Sequence, residues 1–221
     1  MQGHDTGMSE RNPHREELVN VVTHGIGAAA SLAGGGALVA IAALSGEPGR
    51  IVGAAVFAFA LVLLYSASTL YHLVRHDVAK ARLKVLDHCA IFVLIAGTYT
   101  PFTLISLQGG WRWGLFGTIW SLAAIGILFK LFYTGRYKRA STLIYLAMGW
   151  LVVVAADPLS NAVSRWTLAW LLLGGVSYSV GTVFYMNHRL PYAHGIWHMF
   201  VLGGSAFHFA AVVNQVMQTS A

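Results

Sequence analysis

Apolar residues in this chain neither alternate with polar ones nor fall into the narrow stripe of a soluble amphipathic helix. They gather into seven long stretches, at about residues 18–43, 51–73, 86–107, 114–133, 142–156, 167–187 and 194–217. A helix needs about 20 mainly apolar residues to cross a bilayer, so each stretch predicts one transmembrane helix, the fifth being the shortest. The intervening SGEPGR, VRHDVAKARLK, QGGWRW, YTGRYKR, DPLSNAVSR and NHRLPY carry the glycines, prolines and charges of connections. The expected fold is all-α: a polytopic integral membrane protein with a seven-helix transmembrane bundle. Residues 1–17 form a short polar segment and 18–221 a single membrane domain. No repeat, low-complexity tract or separate soluble domain interrupts it.

Composition supports a membrane protein over a large soluble core. Of the 221 residues, 57% are hydrophobic and only 10% charged, where a soluble domain carries about 25% charged residues. The net charge of +6 raises nucleic acid as a partner. The basic residues lie between apolar runs, however, so topology explains them and no nucleic-acid partner is expected. With the N-terminus inside, eleven basic residues fall on the cytoplasmic side: Arg11, Arg15, Arg75, Lys80, Arg82, Lys84, Lys130, Arg136, Lys138, Arg139 and Arg189. Only three, Arg50, Arg112 and Arg165, fall outside. Positive charge favours the cytoplasmic side, which sets the N-terminus in and the C-terminus out. Trp111, Trp113 and Trp166 then meet the outer interface, where amphipathic rings are favoured. The N-terminal MQGHDTGMSERNPHREE has no apolar core, so no cleaved signal peptide is expected. The single Cys89 forms no intrachain disulfide.

That topology gives each intramembrane polar group a depth. His72 closes segment two, Asp87 and His88 open segment three, His194 and His198 open segment seven, and Glu16, Asn20 and His24 open segment one. All of these ends lie in the inner leaflet. In HGIWH, His194 and His198 stack on one helix face about 6 Å apart along the axis. Imidazole is a common zinc ligand, and catalytic zinc sites use three protein ligands plus water. His72 is the candidate third ligand. Ser68, one turn earlier, is a candidate partner of a ligand or bound water, and Asp87 a candidate base for that water. The competing reading is polar bonding between helices with no metal. Glu16, Asn20 and His24 follow a four-residue stride, read either as part of this polar site or as an acidic helix start.

Other polar residues have plainer readings. His208 lies about 15 Å further along segment seven and is expected to bond a neighbouring helix. His4, His14, His76 and His188 read as solvated flanks, and His88 as a partner of Asp87. Gly34, Gly35 and Gly36 suit close helix packing. Pro101 is expected to kink segment three, with Thr98 and Thr100 able to satisfy freed backbone groups. A shared face prevents His194 and His198 from ligating opposite sides of one haem.

Three motifs, Glu16-x3-Asn20-x3-His24, Ser68-x3-His72 followed by Asp87, and His194-x3-His198, resemble the signatures of the hemolysin III family. That family belongs with the progestin and adiponectin receptors and, more distantly, the alkaline ceramidases. SASTLYHL, LDHCAIFVLIAGTYTPF and HGIWHMFVLGGSAFHF resemble the bacterial members in particular. The resemblance spans nearly the whole chain. It implies seven helices with the N-terminus inside, zinc on His72, His194 and His198, and Asp87 acting through water. It implies lipid amide hydrolysis as one activity, on a membrane lipid taken from the inner leaflet. The adiponectin receptors carry a longer N-terminal region than the seventeen or so residues here, which argues against receptor signalling through it. The alternative functions are a structural zinc in a non-enzymatic protein that senses or tunes membrane state, and a channel or cytolytic protein. Basic loops fit residence in a bacterial inner membrane.

Overall fold

The computed structural model describes residues 13–187 and 189–218. Arg11, His4 and His188, and residues 1–12 of the polar N-terminal segment, lie outside the described residues. Eight α-helices follow in order: α1 (Pro13–Leu44), α2 (Pro48–Leu73), α3 (Asp77–Pro101), α4 (Gly109–Tyr133), α5 (Lys138–Gly149), α6 (Ala156–Ala162), α7 (Arg165–Met186) and α8 (Ala193–Met217). They make seven spans long and apolar enough to cross a membrane, because α5 and α6 share one span over Lys138–Ala162. No strand occurs among the described residues.

Most connections are shorter than the sequence suggests. The polar residues HDVAKARLK, GGWRW and DPLSNA largely continue helices rather than link them. Charged residues at the interface can keep their heads in water while their stems extend the helix. Proline starts α1 and α2, where its missing N–H costs nothing. α2 and α3 form the buried centre of the bundle, while the other five spans present mostly exposed faces. Close approach relies on a few glycines: Gly35 sits against Ala58, Gly97 against Ala60, and Gly53 against Pro101. Gly34 faces Phe209 and Gly36 faces open space, so only part of the triple-glycine run serves packing.

Pro101 does disturb span three, through a π-helical turn at Phe102–Ser106. Thr98 donates to the Leu94 carbonyl at 2.8 Å, Thr100 to Ala96 at 2.9 Å and Thr103 to Thr100 at 2.9 Å. The fifth span is broken by a 3-10 stretch at Trp150–Ala155. Tyr99 mends this break. Its hydroxyl lies 2.9 and 2.8 Å from the carbonyls of Met148 and Gly149 and accepts from Val152 N at 2.8 Å. Broken helix backbone is tolerated at membrane depth only where protein groups satisfy it. The break therefore depends on a residue from α3.

Candidate metal centre

Seven helix ends lie at one end of the bundle: the starts of α1, α3, α5 and α8 and the ends of α2, α4 and α7. His72 lies in the last turn of α2, and His194 and His198 occupy the first two turns of α8. The start of α8 is secured locally. Tyr192 adopts a left-handed backbone (φ 56°) just before it, and its N–H donates to Glu16 Oε1 at 3.0 Å.

The three histidines form one group. Ring centroids are 5.0 Å apart for His72–His194, 5.3 Å for His72–His198 and 4.5 Å for His194–His198. Each offers one ligand atom within 4.8 Å of the others, so the group could hold a metal ion. His72 and His198 are buried, at 8% and 1% exposure.

Their hydrogen bonds suit a cation. His72 Nδ1 lies 2.6 Å from Glu17 Oε2. An ionised carboxylate only accepts, so Nδ1 carries the proton and Nε2 offers its lone pair. That Nε2 is buried with no partner among the described residues. His198 Nδ1 lies 3.2 Å from Thr23 Oγ1, whose own proton goes to the Val19 carbonyl at 2.8 Å. Thr23 therefore accepts from Nδ1–H, which again frees Nε2. Metal-bound histidines commonly donate their second nitrogen in this way.

Glu17 escaped the sequence reading. The four-residue stride favoured Glu16, but Glu17, Asn20 and His24 at i, i+3 and i+7 share a face equally well. Glu16 instead holds the start of α8. Lys80 fixes the second Glu17 oxygen at 3.0 Å. Replacing Glu17 with Gln is expected to weaken metal affinity about 10–100-fold, read by chelator competition. Unchanged affinity would confine Glu17 to its ion pair with Lys80.

His24 lies flat on His198, with centroids 3.5 Å apart and planes at 12°, and edge-on to Tyr65 at 5.0 Å. Both His24 nitrogens and Asn20 Oδ1 are buried without a partner among the described residues. The stride thus reaches the site, with a different role for each residue.

Asp87 borders the same cavity as His194 and His198 and is not one of the three grouped ligands. Its side chain is 15% exposed. Ser68, 1% exposed, borders the same cavity as its carboxylate. His88 Nδ1 is 3.6 Å from Asp87 Oδ2 but bonds more closely to the Lys84 carbonyl, at 2.7 Å. His208 bonds the Leu171 carbonyl of α7 at 3.2 Å, as expected of an interhelical bond. His76 is more than a solvated flank, because its ring accepts from Ala79 N and caps α3. Ser68, Asp87, His194 and His198 all border a cavity of about 590 Å³ that runs between α3, α5, α7 and α8. Leu94, Ile95, Leu171 and Trp150 give it largely apolar walls.

The family described as Haemolysin-III related matches residues 13–209. The chain belongs to this family. It is similar to Hemolysin-3 of Bacillus cereus, 45% identical over 206 residues that cover 93% of this chain and 94% of that protein. A Hemolysin-3 homolog of Bacillus subtilis (strain 168) is 46% identical over 199 residues, covering 90% and 93% of the two chains. The human Monocyte to macrophage differentiation factor is 30% identical over 169 residues, covering 71% of this chain and 67% of that one. No solved structure matches with significance. The protein is a multi-pass membrane protein of the haemolysin-III type, with a histidine cluster that could hold a metal ion.

Proposed function

We propose that this protein binds zinc through His72, His194 and His198 and hydrolyses a lipid amide or related bond in the inner leaflet of a bacterial inner membrane. The observation that carries this reading is the mostly buried Asp87 carboxylate on the wall of the apolar cavity that His194 and His198 also border, and outside the grouped ligands. A structural zinc site is normally closed by four protein ligands, whereas a catalytic one keeps a position open. When bound, zinc supplies Lewis acidity, which acidifies water and polarises a carbonyl.

The chain's own residues do the rest. Glu17 and Thr23 hold His72 and His198 with Nε2 turned to the centre. Ser68 orients the Asp87 carboxylate, which takes the proton of the attacking water and returns it to the departing amine. The cavity receives the acyl chain and excludes bulk water from the bond under attack. The excess of basic residues at this end of the bundle supports a cytoplasmic N-terminus and therefore an inner-leaflet site.

The test is turnover by purified, zinc-loaded protein on a panel of N-acyl lipids in nanodiscs, with released fatty acid read by mass spectrometry. Turnover is expected for the native chain and none above background for His72→Ala. A zinc-loaded native protein inert on the whole panel would remove the hydrolase reading.

A further inference from the structure

A second cavity, of about 640 Å³, lies at the end of the bundle opposite the histidines. In the orientation proposed above, this is the outer end. Its wall comes from the start of α2, the π-helical turn after α3, the start of α4, α6 and the end of α8. Neutral polar groups dominate it: the Ser106 hydroxyl and the carboxamides of Gln108, Asn161 and Gln215. No carboxylate borders it among the described residues, and Arg50 is its single cation. The Arg50 guanidinium is engaged, with Nη1 donating to the Val216 carbonyl at 3.1 Å.

Two of these polar groups lack partners. Gln215, in the last turn of α8, is 5% exposed, and its Oε1 is buried with no hydrogen bond among the described residues. The Ser106 hydroxyl is buried and unpartnered in the same way. Thr98, Thr100 and Thr103, earlier in the same span, each donate to a backbone carbonyl. Ser106 makes no such bond. Buried polar groups without partners are rare in folded proteins and call for an explanation. Here two of them, from spans far apart in sequence, border one cavity.

Their chemistry defines the missing partner. An amide oxygen only accepts, so Gln215 Oε1 needs an O–H or N–H. The Ser106 hydroxyl needs an acceptor for its proton and has lone pairs to spare. One hydroxyl on a ligand supplies both roles, and adjacent hydroxyls serve both residues. The exposed Trp111 ring adds a flat face whose negative charge suits the C–H groups of a sugar. We infer that this pocket binds a neutral polyol, the adjacent hydroxyls of a sugar or glycerol unit. The unit arrives free in solution or as the head group of a lipid in the facing leaflet. The site shares no residue with the histidine cluster and does not depend on the metal or on hydrolysis.

The test is saturation-transfer NMR on the full chain in a polyoxyethylene detergent, which carries no sugar. The probes are glycerol, methyl glucoside, its fully O-methylated analogue, octyl glucoside and inorganic phosphate. Glycerol or methyl glucoside should bind, and the O-methylated analogue, which has lost every donor, should not. Tighter binding of octyl glucoside identifies a lipid head group, and equal binding a free polyol. Gln215→Met and Ser106→Ala should each weaken binding about tenfold, the size of one hydrogen bond. Gln215→Met should also leave the thermal midpoint of the ligand-free protein equal or higher, because it removes an unpaired buried polar atom. Chelator should change nothing. A pocket that holds water alone would give no transfer to any polyol and overturn the site. So would binding of the O-methylated analogue, displacement by inorganic phosphate, or unchanged binding in both variants. A lowered midpoint in Gln215→Met would give that side chain a structural role and overturn it as well. Binding lost on chelation would move the polyol to the metal centre and leave the metal reading intact.

Discussion

Replacing His198 with Ala is expected to abolish metal binding by this protein. His198 is the most enclosed of the three histidines, 1% exposed, between His194 on its own helix, His72 of α2 and His24 of α1. Removing it leaves two ligands on two different helices, with no described carboxylate in the ligand set to replace it. Zinc content by elemental analysis should fall from about one equivalent to near none, because a catalytic zinc is held by three protein ligands. His208→Ala is the control. Among the described residues His208 bonds the Leu171 carbonyl and packs on the Tyr178 ring, so its loss should cost stability and leave the metal in place. Full zinc occupancy in His198→Ala would return the histidines to the role of polar bonds between helices.

The second large effect belongs to Asp87. Asp87→Asn keeps the shape but cannot take a proton. Activity on the responsive lipid should fall about 10²–10⁴-fold, the usual contribution of a positioned general base. Zinc content should stay at the native level, because Asp87 stands outside the ligand set. Loss of zinc with the activity would make Asp87 a ligand and the site a closed structural one.

Neighbouring residues show where sequence reasoning stopped. The His194–His198 pair and its alignment with His72 follow from helical spacing and span order. Local periodicity could not separate Glu16 from Glu17, because both fit the face that holds Asn20 and His24. Only the position of α2 sends Glu17 to His72 and leaves Glu16 to the start of α8. The fifth stretch looked short because its helix is broken, and the group that satisfies the break, Tyr99, comes from about fifty positions earlier in the chain. Lys130 read as an interfacial charge near the end of segment four because its apolar stem and end-of-helix position resemble those of any interfacial lysine. Burial against Ser141 is a property of how α4 meets α5.

By itself, then, the sequence determined the seven spans and their family. It also determined which polar residues share one level of the bundle, since span length and helix periodicity are local properties read along one chain. The tertiary structure decided which of those residues touch. It set Glu17 behind His72, Thr23 behind His198 and Asp87 on the wall of the apolar cavity. Those contacts depend on how helices distant in sequence rotate and approach, and packing between side chains of different spans sets that rotation.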